Sequence, residues 1–147
     1  MTGGFLLLFF GGSAYMEMAD SVKSDLRLLG LAFPPYAEKL YKIGLISTIT
    51  AGLSAFILGI LIYSSGKRIF GFLAVLTGTV ALIGGFIPIG SIDYGSNGTF
   101  VFPLITPYHY IDVVLILISG IISILILKNG ADSRPAETGM GSRAGEI

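Results

Sequence analysis

Apolar residues in this chain fall in long unbroken runs rather than at helical or strand periods. Residues 43–64 are 22 positions without a charge, 69–90 are another 22, and a third run, 111–127, reaches 20 when extended back to Tyr108. Twenty residues of helix measure about 30 Å, the thickness of a bilayer's hydrocarbon core. The pattern predicts three transmembrane helices, at about 43–64, 69–90 and 108–127. The third carries His109 and Asp112 close to its outer end, where an ionisable group stays near the interface. Only Ser65, Gly66, Lys67 and Arg68 separate the first two, so these form a tight antiparallel pair.

The N-terminal segment 1–15 holds a ten-residue apolar run with a glycine pair at each end (GGFLLLFFGG, 3–12). Ten residues is the length of a signal-peptide core rather than of a full span. Small residues follow at Gly12, Ser13 and Ala14, but no Lys or Arg precedes the run. Three readings stay open: a cleaved signal, a start at Met16 or Met18, and an uncleaved signal-anchor or short transmembrane helix. The third is the one adopted, giving a short N-terminal hydrophobic helix before the three spans.

Between this segment and the first span, 16–42 changes pattern. Ala19, Val22, Leu26 and Leu29 recur at helical spacing with Lys23, Asp25 and Arg27 on other faces, so an amphipathic helix on the membrane surface is expected. Pro34 and Pro35 end it, and a new helix starting near Pro35 should run through Tyr41 into the first span. The loop 91–107 alternates in Ile92, Asp93, Tyr94 and again in Thr99, Phe100, Val101, Phe102, with Asn97 and Gly98 between. That is a β-hairpin signal, and it places Phe100 and Phe102 on one face as candidate partner contacts. Asn97, Gly98 and Thr99 also form a glycosylation sequon. The tail 129–147, of Gly, Ala, Ser and balanced charge, is expected to be disordered. The fold class is thus an all-α integral membrane bundle over 43–128 with a small extracellular hairpin.

Small residues predict how the spans pack, because helices in lipid associate by close approach. The first span has Gly44, Thr48, Ala51, Ala55 and Gly59; the second has Gly71, Ala74, Gly78, Ala81 and Gly85. Since a short turn joins the two helices, the two stripes are expected to face each other. The third span is rich in Ile, Leu and Val and suits lipid or a bulky partner; its Ser119 and Ser123 should bond to their own backbone.

Composition narrows the functional classes. The chain has 147 residues, 53% hydrophobic and 12% charged, with mean hydropathy +0.85. A soluble domain carries roughly a quarter charged residues. Eight of the eighteen charges lie in 16–42 and six in 128–147, leaving four for the 85 residues between. That distribution excludes a water-soluble globule and, for the middle of the chain, disorder. Net charge is zero, so no nucleic-acid partner is expected. With no Lys or Arg in 91–107, and Lys67, Arg68, Lys128 and Arg134 at the opposite ends of the spans, the positive-inside rule puts the loop outside and the C-terminus in the cytoplasm of a multi-pass cell-membrane protein.

Candidate chemistry is sparse. Asp93, His109 and Asp112 form the one polar cluster, with His109 and Asp112 three residues apart on one helix face. A metal or proton site could be built from such groups, but capping the third helix explains them as well. No cofactor, metal or catalytic residue is assigned, and the chain is not expected to be an enzyme. The function expected is a non-catalytic accessory or interaction subunit, with the bilayer and a membrane protein or another copy as partners. The alternative is a homo-oligomeric channel or holin-like permeabiliser, lined by the hydroxyls of Ser47, Thr48, Thr50, Ser54, Thr77 and Thr79.

Overall fold

The computed structural model describes residues 1–106 and 109–132. The chain opens as one unbroken helical run over 2–28, built from α1 (Thr2–Leu6), a π-type turn (Leu7–Gly11) and α2 (Gly12–Leu28). Then come α3 (Pro35–Ser65), α4 (Arg68–Gly84), β1 (Pro88–Asp93), a 3₁₀ turn (Gly95–Asn97), β2 (Thr99–Pro103) and α5 (Tyr110–Asp132). The fold is predominantly helical with one small two-stranded sheet. Two helices, Pro35–Ser65 and the Tyr110–Lys128 part of α5, are long and apolar enough to cross a membrane.

Local rules set the boundaries. Pro35 occupies the first turn of α3, where its missing N–H costs nothing, and Gly66 ends that helix in the left-handed conformation at φ 61°. Lys67 is extended, and Arg68 starts α4 one residue later. The second helix is shorter than its apolar run, since α4 ends at Gly84 instead of continuing to 90. Pro88 lacks the N–H a helix would need, and the chain beyond it pairs as a strand. The returning backbone closes this end: Leu104 N–H donates to Ile87 O at 2.9 Å and Ile105 N–H to Gly84 O at 3.1 Å. An otherwise orphaned helix-terminal carbonyl is satisfied in this way.

The hairpin is antiparallel, with Ile92 opposite Phe100, Ser91 opposite Val101 and Asp93 opposite Thr99. At its tip Gly95 and Gly98 take φ values of 69° and 109°, and Asn97 closes the 3₁₀ turn between them. The tail expected to be unstructured from 129 is helical to Asp132; residues 133–147, like Pro107 and Tyr108, lie outside the described residues.

Two apolar clusters organise the interior. One joins Leu7 of the π-turn, Ala55, Ala81, Ile105, Val113 and Ile116. The other joins Val22 and Leu26 of α2, Ala37 of α3, and Ile92 and Phe102 of the hairpin. The apolar row of α2, expected against a membrane surface, is instead buried on protein through Ala19, Val22 and Leu26, and Leu29, expected at its end, is exposed. Residues 1–15 are an integral part of the bundle: Gly3, Gly4, Leu7, Gly11, Gly12 and Tyr15 are buried.

Candidate functional site

The two small-residue stripes do not face each other. The stripe of α3 is covered by the N-terminal helix, which runs antiparallel to it. A methyl group at Gly52 would lie 2.5 Å from Leu8 N, one at Gly4 2.5 Å from Phe56 N, one at Gly11 2.7 Å from the Thr48 side chain and one at Gly59 2.5 Å from Met1 N. Gly44 is filled by the Tyr15 ring. Positions 4, 8, 11 and 15 alternate steps of four and three residues, the spacing of one helical seam, and they meet 56, 52, 48 and 44 in reverse order. The stripe of α4 faces α5 instead. There Gly71 receives Ile124, Gly78 receives Leu117, and Gly120 approaches the Val75 backbone. Gly84 is buried in place of the expected Gly85. The physical reason is shape: bulky α5 side chains fill holes left by glycine, whereas two glycine-bearing backbones, α1 and α3, can touch directly.

A buried polar node ties these seams together. Thr106 N–H donates to Thr48 Oγ1 at 3.2 Å, Thr106 Oγ1 donates to Gly11 O at 3.1 Å, and the two hydroxyl oxygens are 3.4 Å apart. Thr48 is wholly buried and Thr106 almost so. Gly11 ends the π-turn, whose i→i+5 pattern leaves the ladder irregular there. The Thr106 hydroxyl supplies a partner for that carbonyl, so the non-helical segment 104–106 can descend into the bundle with its polar groups satisfied. The Tyr15 hydroxyl is buried beside Gly44 without a hydrogen-bond partner among the described residues.

His109 and Asp112 come together and Asp93 does not join them. His109 Nδ1 stands 2.7 Å from Asp112 Oδ2. The approach does not meet hydrogen-bond geometry, and Oδ2 has no other partner among the described residues. Asp93 is exposed at the hairpin tip, where its Oδ1 accepts from Gly95 N at 2.8 Å. The pair sits at a helix end as expected, but that end is inside the bundle. Asp112 is only 6% exposed, and its carbonyl is the atom against which Gly3 packs. Gly4, the next residue, abuts Ala55 and Phe56, which lie about 20 Å along α3 from Lys42.

Of the two candidate contact residues, Phe102 is fully buried and Phe100 half-buried, their rings meeting edge to face at 4.9 Å. Phe102 is thus a core residue of the hairpin and not available to a partner. Ser119 and Ser123 donate to Ile116 O and Ser119 O, and Thr77 and Thr79 to Leu73 O and Val75 O. Each of these four hydroxyls bonds to the backbone of its own helix.

The hairpin end of the molecule carries the surface relief. A cavity of about 630 Å³ opens between α2 and the hairpin, walled by Glu17, Asp25, Tyr94 and Phe100. A second, of about 300 Å³, continues from Met18 and Phe100 to Phe86, Val101 and Pro103. On the other flank of α2, Lys23 lies over the Phe33 ring at 5.4 Å and the Tyr41 ring at 5.7 Å, holding α2 to the start of α3. Neither the node around Thr106 nor this relief was read from the sequence. The one available signal was the 4, 8, 11, 15 spacing in the N-terminal segment. The chain matches no protein-family model, no curated protein and no solved structure.

Proposed function

We propose that this chain is a small multi-pass membrane protein that acts as a non-catalytic accessory or interaction subunit of a larger membrane complex. The observation that carries the reading is an outward-facing apolar surface. Only 17% and 22% of the apolar stretches of α3 and α5 are buried within the chain. Ile46, Phe72, Leu76, Ile118 and Ile126 are among the side chains that point outward. In water such a surface would be far larger than the few hundred Å² a monomer exposes; lipid and a partner protein are the surroundings that suit it.

In this reading the helical run over 2–28 is retained and acts as a fourth membrane helix, and α4, about 26 Å long, is the third span. Lys67, Arg68 and Lys128 gather at one end, where Arg68 Nη2 donates to Leu127 O at 2.8 Å and Lys128 O at 3.0 Å. The positive-inside rule places that end in the cytoplasm and the hairpin outside. Thr48 and Thr106 are turned toward each other and tie α3 to the returning segment 104–106, and His109 faces Asp112 at the start of α5, so these polar groups serve the chain's own packing. The back-bonded Thr77 and Thr79 favour this reading over a channel.

Purification from membranes in mild detergent tests it. A partner of fixed stoichiometry is expected to come with the chain. A solitary monomer overturns the reading, and solute flux through liposomes holding the pure protein would move the assignment to a channel.

A further inference from the structure

The cavities beside α2 form one groove. The chamber at Phe86 and Val101 shares Met18 and Phe100 with the larger one, and that shares Asp25 and Tyr94 with a third chamber of about 270 Å³ reaching Leu28 and Leu29. Along α2 the groove follows residues 14–29, about 22 Å or four helical turns. Its floor is apolar, with Met18, Val22 and Phe100. Its rim is acidic: Glu17 and Asp25 stand on the same flank of α2, eight residues and about 12 Å apart. Neither is in an ion pair among the described residues. Tyr94 leans on the same rim, where burial first and the Asp25 charge second push its hydroxyl above the usual range.

Resting on the accessory-subunit reading, we propose that this groove docks a basic amphipathic helix of the membrane partner, with apolar side chains over Phe100 and Met18 and two cations, two turns apart, on Glu17 and Asp25. The charge spacing selects this occupant. A helix presents cations at i and i+7 or i+8 on one face, matching the rise of about 12 Å along α2 from Glu17 to Asp25, and lays apolar residues between them. A lipid headgroup brings a single cation and cannot span both acids. Among the described residues a second copy lacks the pattern: Lys23 and Arg27 are four residues apart and Lys39 and Lys42 three, with Lys23 held by Asp20 and the Phe33 ring and Lys42 paired with Glu38.

The chain has no cysteine, so a single fluorophore can be placed at Thr99→Cys on the groove or at Tyr63→Cys at the far end. Full-length protein in phosphatidylcholine nanodiscs is titrated with an 18-residue Leu/Lys helical peptide carrying lysines seven residues apart, and with its Leu/Glu counterpart. Saturable binding of the lysine peptide is expected at the groove label alone, weakened about tenfold in the exposed double variant Glu17→Lys, Asp25→Lys. Equal response to both peptides, equal response at both labels, or an unaltered double variant overturns the proposal. In cells, a photo-crosslinking residue in place of Thr99 should capture a basic helical segment of the co-purifying partner; capture of lipid or of a second copy overturns it. A partner retained by the double variant removes the groove but leaves the accessory role standing, whereas a wild-type chain that recovers no partner removes both.

Discussion

Replacing Gly52 with alanine adds one methyl group where α3 touches the N-terminal helix, and the surroundings leave it no room. The new carbon would stand 2.5 Å from Leu8 N, 2.8 Å from Leu8 Cα and 3.0 Å from Gly4 O, all backbone atoms. Normal contact for carbon begins near 3.5 Å, so the helices must part by about 1 Å along the seam. A gap of that size forfeits a quarter to a half of each contact's attraction, and the neighbouring fits of Gly11 on Thr48 and Gly59 on Met1 open with it. Overpacking of this kind costs about 1–3 kcal/mol, and the upper half of the range applies because no flexible side chain can give way. Alanine returns up to about 1 kcal/mol through helix propensity, leaving a net loss of about 1–2 kcal/mol. Gly12→Ala is the matched control, since its methyl would meet Ile49 Cγ1 at 3.7 Å and Leu45 Cδ1 at 3.9 Å, ordinary contact. There the propensity term stands alone, and a gain of up to about 1 kcal/mol is expected. Unfolding both variants by SDS titration in mild-detergent micelles, followed by far-UV circular dichroism, measures the difference of about 2–3 kcal/mol. If Gly52→Ala is as stable as Gly12→Ala, the N-terminal helix does not dock on the α3 stripe and the seam is wrongly assigned.

Three further outcomes follow from the same geometry. Thr106→Val keeps the shape but removes the hydroxyl that Gly11 O accepts from, and should cost about 1–3 kcal/mol in the same titration, whereas Thr77→Val should cost little because its hydroxyl serves only its own helix. His109→Ala strips the neighbouring polar group from buried Asp112 and should destabilise by about 1–3 kcal/mol, and adding Asp112→Asn should recover part of that loss; an unchanged melting curve for the single variant would sink the pair's structural role. Glu38 is held below its ordinary 4.5 by the hydrogen bond and then the charge of Lys42, and Lys42 is raised above its ordinary 10.5 by the same contacts. The pair's stabilisation is therefore present between those values, lost as pH falls through the Glu38 value and lost again as pH rises through that of Lys42. Carboxyl NMR titration should show Glu38 returning toward 4.5 in Lys42→Ala, and no movement would refute the pairing.

Several elements were legible in the residues themselves because short-range rules govern them. The long apolar runs marked where α3, α4 and α5 lie, Pro35 marked the start of α3, and the alternation around Asn97 and Gly98 marked the hairpin. Ser119 and Ser123 were expected on their own backbone, and they are found there. Where α4 stops and how far α5 runs were less legible, since both depend on chain that returns from elsewhere: the carbonyl of Gly84 is closed by Ile105, 21 positions later. The candidate site was less legible still. His109 and Asp112 were recognisable as a pair from their spacing, but the burial of Asp112 was not, because it depends on the N-terminal helix packing across the start of α5, where Gly3 meets the Asp112 carbonyl. Phe102 was read as a contact for a partner because alternation tells which residues share a face, not what covers that face.

The amino-acid order by itself determined an apolar chain of helices with a turn-tipped hairpin, because hydrophobic run length, proline and glycine act within a few residues. It also determined that the helices would meet through small residues, since Gly44, Gly52, Gly71 and Gly78 leave holes whatever fills them. Which helix fills each hole was decided only in three dimensions. Glycine accepts any neighbour of the right shape, so the α3 stripe could receive α4 or the N-terminal helix with equal local logic. The choice fell to the N-terminal helix because its own glycines let two backbones touch, while the branched side chains of α5 filled α4. That assignment in turn buried Thr48 and Asp112 and left Glu17 and Asp25 facing outward along a groove that no local pattern in the chain foretells.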